Sequence, residues 1–130
     1  MKENSQNNLN GAELSHEQYP IECKTLESYR TLGPGFIKKI IDQYCMLASQ
    51  QISQLDAAIQ ARDVAAIQNI AHSLKSSSAM VGAMSLSSLF KEMELSGEMN
   101  KTEYASEMFS KIQTEYRLVE IALKSYLDKG

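Results

Sequence analysis

The sequence predicts an all-α fold: an up-down-up-down antiparallel four-helix bundle with a short additional helix at its N-terminal end. Three observations predict it. Apolar residues recur at threes and fours through long stretches, strand-type alternation is absent, and the breaks between stretches are only a few residues long. Helices joined by such short turns pack as antiparallel neighbours.

Taken in order, residues 1–18 are rich in Asn, Gln, Ser and Glu with isolated Leu9 and Leu14. Such a segment buries too little surface to offset its ordering entropy, so it is expected to be a mobile tail ahead of one bundle domain over residues 19–130. A short helix is expected after Pro20, from Ile21 to Thr31, and Gly33-Pro34-Gly35 then forces a turn. From Phe36 to Ala61, Ile37, Ile40, Ile41, Tyr44, Leu47, Ile52, Leu55 and Ile59 form the stripe of one long amphipathic helix. Arg62-Asp63 breaks it, and Asp63 is a good N-cap for the next helix. That helix should run to Val81 and stop at Gly82 in a left-handed cap. A fourth helix, Met84 to Met99, buries Leu86, Leu89, Phe90 and Met93, and Gly97 and Asn100 mark its end. Asn100 or Thr102 caps the last, in which Tyr104, Met108, Ile112, Tyr116, Val119, Leu123 and Tyr126 repeat at helical spacing. Core packing accounts for the tyrosines and methionines on these stripes, so no cofactor box is needed.

A chain of 130 residues is about one domain. Its net charge of −3 leaves no basic footprint for nucleic acid. No apolar run has the length of a membrane span, and the first residues lack the apolar core of a signal peptide. A cytoplasmic protein is expected. Cys23 and Cys45 are read as free thiols, and two cysteines with two distant histidines offer no zinc-ligand spacing.

The chemistry gathers at Ala71 to Ala83. On a helical wheel at roughly 100° per residue, Ile67, Ile70, Leu74, Ser77 and Val81 share one face and His72 points about half a turn away, toward solvent. Around His72 lie Ala65, Gln68, Asn69, Lys75, Ser76 and Ala79, all small or polar. Three successive serines are modest helix formers, so their place beside His72 asks for a reason other than helix stability. Close approach by a partner is that reason.

Ala71-His72, Leu74-Lys75, Ser77-Ser78 and Gly82-Ala83 resemble the motif of the histidine-containing phosphotransfer (HPt) domain, His-x-Leu-Lys-Gly-Ser-Ser preceded by Ala and followed by Gly-Ala. Ser76 stands where glycine is commoner, and serine is still small. The resemblance runs over residues 20 to 128. It implies that a receiver domain phosphorylated on aspartate hands its phosphoryl group to His72, which passes it to a second receiver domain.

A neutral imidazole offers a nucleophilic nitrogen, provided that the other ring nitrogen is held as N–H by an acceptor. The resemblance implies that an acidic or amide side chain twenty-two residues after the histidine does this, which is Glu94 here. Glu94 lies at the edge of its helix's apolar stripe; the alternative is a solvated surface glutamate. Lys75, one turn from His72, is expected to stabilise phosphate charge, and Lys91 to add positive potential to a docking face of Gln68, Asn69, Lys75, Ser76, Ala79 and Lys91. No nucleotide-binding loop is present, so the chain is expected to be no enzyme and to hold no cofactor or metal, with magnesium expected in the receiver. Receiver domains and a hybrid sensor histidine kinase are the implied partners of a monomer. The alternative function is a non-transferring module that docks on a receiver or kinase, which a substituted histidine would have favoured.

Overall fold

The computed structural model describes residues 19–98 and 102–129. The expected N-terminal tail, with His16, and the Asn100 boundary lie outside the described residues. Among the described residues five α-helices follow one another: α1 Cys23–Glu27, α2 Phe36–Gln60, α3 Val64–Met80, α4 Met84–Glu98 and α5 Thr102–Lys129, with a 3-10 turn at Arg30–Leu32 between α1 and α2. No strand occurs among the described residues, and no described helix is long and apolar enough to cross a membrane. The N-terminal helix is shorter than its expected span, because Ser28 and Tyr29 turn the chain from α1 into the 3-10 segment. The long helices follow their stripes.

α2 packs on α3 and α5, and α4 on the same two helices, so α2 to α5 close a ring around one core. Ile41, Tyr44, Ala48, Ile52 and Leu55 enter it from α2, and Ile67, Ala71 and Leu74 from α3. Leu86, Phe90 and Met93 from α4 meet Met108, Ile112, Val119 and Leu123 from α5. Each large apolar side chain so buried contributes roughly 1.5–3 kcal/mol. Two stripe residues fall outside the core: Leu47 is exposed, and so is Tyr104, whose hydroxyl instead donates to Glu92 at 3.2 Å.

The turns are specified locally. The Asp63 side chain accepts the Ala66 N–H at 3.1 Å, starting α3. At its other end Val81 is the cap residue and Gly82 takes φ +83°. Ala83 N–H bonds Ser78 C=O at 2.9 Å and Gly82 N–H bonds Ala79 C=O at 3.0 Å, the paired bonds of a Schellman cap. The N-terminal segment latches onto this cap. Glu22 N–H donates to Gly82 C=O at 2.8 Å, Leu26 is fully buried, and Tyr29 Oη donates to Met80 C=O at 2.8 Å.

The buried face of α3 is centred on Ala71 and Ser78 rather than on Ile70 and Ser77, a rotation of roughly 50° about the helix axis at 100° per residue. Ala71 and Ser78 are both fully buried, whereas Ile70 and Ser77 are half-buried. Small side chains at these positions permit close helix approach, and the Ser78 hydroxyl is matched by Tyr44 Oη at 2.8 Å. Replacing Ser78 by Ala leaves the tyrosine hydroxyl buried alone, a loss of about 1–3 kcal/mol. Tyr44→Phe is expected to lose less, because a helical serine can turn to a carbonyl of its own helix. Denaturant unfolding of the two single variants and the double variant checks this. Additive losses in the double variant would contradict a shared hydrogen bond.

Candidate functional site

His72 stands at the middle of α3 with its side chain 62% exposed. The rotation of α3 brings it from directly opposite the core to the flank facing α4. Its Nδ1 lies 3.0 Å from Glu94 Oε2. The other carboxylate oxygen, Oε1, accepts from Lys75 Nζ at 3.0 Å. One glutamate thus holds both the imidazole and the lysine one turn further along α3. The same rotation turns Gln68, Lys75 and Ala79 toward the α3–α4 seam, where they are half-buried. Asn69, Ser76 and Lys91 remain exposed.

Glu94 is a quarter exposed. Partial desolvation favours its neutral form, but the hydrogen bonds from Lys75 and then His72 outweigh that and hold its carboxyl below the ordinary value. The stabilisation from this lowered value is present above the ordinary carboxylate pKa, about 4.3, and is lost as pH falls through the folded value. At neutral pH the group is therefore a carboxylate, which only accepts hydrogen bonds. Its contact with the ring is attractive when Nδ1 carries the proton, so Nε2 keeps its lone pair on the exposed side.

Glu94→Ala is expected to leave the fold intact and to release the ring into a mixture of tautomers. Nitrogen-15 NMR of the imidazole checks it, and unchanged tautomer populations would contradict the orienting contact.

Two neighbours of the site escaped the sequence reading. Ser87 Oγ donates to Lys75 C=O at 2.8 Å, fastening α4 to α3 at the lysine. It lies seven residues before Glu94, two helical turns along the same face, and that spacing was the available signal. On the other flank, Gln51 Nε2 donates to Ser73 Oγ at 3.1 Å across a groove between α2 and α3. Leu47 and Met80 line this groove and are 49% and 56% exposed. No motif marks such an apolar flank.

The sequence profile of the Hpt domain matches residues 39–128. Among solved structures, the chain is similar to the crystal structure of histidine-containing phosphotransfer protein B (HptB) from Pseudomonas aeruginosa PAO1. The identity is 24% and the TM-score 0.81, over 85% of this chain and 96% of that one, a likeness of fold. No curated protein sequence matches the chain significantly.

Proposed function

Because the chain belongs to the Hpt domain family, whose members serve histidine phosphotransfer in two-component signalling, we propose that it is a phosphorelay intermediate with His72 as its phosphoacceptor. In this reading an aspartyl phosphate on a receiver domain is the donor and the aspartate of a second receiver domain takes the group onward. A hybrid sensor histidine kinase is the expected source. The observation that carries the reading is the exposed imidazole with Nδ1 held by Glu94 and Nε2 left open.

The Nε2 lone pair attacks phosphorus, the bond from phosphorus to the aspartyl oxygen breaks, and the aspartate leaves as a carboxylate. The ring gains positive charge, and its Nδ1–H stays on Glu94, whose carboxylate offsets that charge. Lys75, held by the same glutamate one turn from His72, contributes charge stabilisation to the phosphoryl oxygens in this reading. The magnesium expected for such chemistry belongs to the receiver. The chain's own task is to present the imidazole and a docking face, with exposed Asn69 and Ser76 between His72 and the Leu47–Met80 groove, and Lys91 of α4 on the opposite flank. Lys75 and Lys91 complement an acidic receiver site. A monomer in the cytoplasm, where receivers would meet it, completes the reading.

Incubation of the purified chain with a phosphorylated receiver tests it, with label expected to move to the chain, whereas ATP alone should leave it unlabelled. Ser76 is exposed one turn beyond His72, so Ser76→Gln should change stability by no more than about 0.5 kcal/mol. Bulk there holds a partner off, and a displacement of about 1 Å costs roughly a hundredfold in rate. A Ser76→Gln protein that accepts phosphate at the wild-type rate would show that transfer does not need close approach over this face.

A further inference from the structure

A cavity of about 810 Å³ opens where the 3-10 turn and the Gly33-Pro34 bend meet the first turn of α2 and the last turns of α5. No residue of α3 or α4 lines it. Its size falls within the range of small-molecule sites, about 300–1,000 Å³. We propose that this cavity binds an organic anion, an apolar body ending in a carboxylate.

The walls supply both halves of that chemistry. Pro34, Ile37 and Leu127 offer apolar surface, and three cations, Arg30, Lys38 and Lys124, face a single acid, Asp128. Lys38 bonds Asp42 at 2.6 Å and Lys124 meets Glu120 at 3.8 Å, both exposed pairs one helical turn apart. Pairs of that kind are weak and yield readily to a better anion. Arg30 has no ion pair among the described residues, and its planar fork matches a carboxylate with two parallel bonds. Asp128 penalises a dianion, so a monoanionic head suits the cavity better than a phosphate.

Tyr126 provides the second, independent observation. It lines the cavity, and its hydroxyl is buried without a hydrogen-bond partner, the one side-chain polar atom so placed among the described residues. A buried hydroxyl left unpaired is costly, and such groups ordinarily find an acceptor. Because the hydroxyl has no open surface as the ring stands, a carboxylate anchored on Arg30 supplies that acceptor only with a shift of the Tyr126 ring.

The test titrates the full-length chain with octanoate, and separately with acetate and 1-octanol, following backbone amide NMR signals at Gly33, Ile37 and Leu127. Octanoate is expected to give saturable shifts there at an affinity at least about tenfold above either half-probe, the worth of one charge-assisted hydrogen bond. Arg30→Gln should lose that factor and still accept phosphate on His72 at the wild-type rate, which keeps this test separate from the phosphorelay reading. Tyr126→Phe should weaken octanoate and raise the ligand-free melting temperature, since it removes the unpaired hydroxyl. Equal binding of octanoate and octanol would overturn the proposal, as would saturable shifts confined to other parts of the bundle or a Tyr126→Phe variant unchanged in both readouts. A gain of tenfold or more on deleting residues 1–18 would also overturn it, assigning the cavity to the chain's own N-terminal segment.

Discussion

His72→Gln is expected to abolish acid-labile phosphorylation of the chain while leaving its helical content and melting temperature nearly unchanged. The two halves of that expectation rest on different observations. The loss is complete because the bond to phosphorus forms at the imidazole, and a glutamine amide has no nucleophilic lone pair to replace Nε2. The fold survives because the side chain is 62% exposed and touches no core residue through its ring nitrogens. Substitutions at such sites usually stay within about 0.5 kcal/mol. Lys75 retains its bond to Glu94 in the variant, so the glutamate is not left unpaired. Circular dichroism and phosphorylation by a labelled receiver check the two halves separately. Label persisting in His72→Gln, or lost instead in His16→Gln, would contradict the assignment.

Gly82→Ala is expected to lower the stability of the bundle substantially. At φ +83° an added Cβ costs roughly 1–2 kcal/mol in backbone strain alone. It would also stand 2.6 Å from Glu22 O and 3.2 Å from Thr25 Cβ, so the N-terminal latch must move. Overpacking of that kind costs typically about 1–3 kcal/mol. The sum, about 2–5 kcal/mol, corresponds to a fall in melting temperature of roughly 8–20 °C for a domain of this size. His72 lies ten residues away, about 15 Å along the helix axis, so the folded fraction of the variant should still accept phosphate. A melting temperature within about 2 °C of wild type, well below that expected fall, would show that the latch yields freely.

The boundaries of α2 and α3 and the start of α4 were legible because single residues fix them: Pro34 and Gly35 before Phe36, the Asp63 cap, and Gly82 in the left-handed region. The stripes were legible because a bundle of four helices buries one side of each. What the stripe does not encode is the rotation of a helix against its neighbours. Ser77 and Ser78 are one step apart on the wheel, and packing against other helices, which buries Ala71 and pairs Ser78 with Tyr44 of α2, decides which is buried. That rotation also decides the site. It carries Lys75 from an open face into the seam, where Glu94 takes it up together with His72. Leu47 was misread for a related reason, since it borders a groove where no neighbouring side chain covers it. The motif gave the identities of His72 and Lys75, and the packing of α4 gave their geometry.

The central claim is that a receiver places its phosphoryl group on His72 through the ring nitrogen that Glu94 leaves open. Long-range proton–nitrogen NMR of the imidazole in the receiver-phosphorylated chain measures it directly. The account predicts phosphorus on Nε2 of His72, with Nδ1 protonated. Phosphorus on Nδ1, on His16, or on no histidine at all would contradict it.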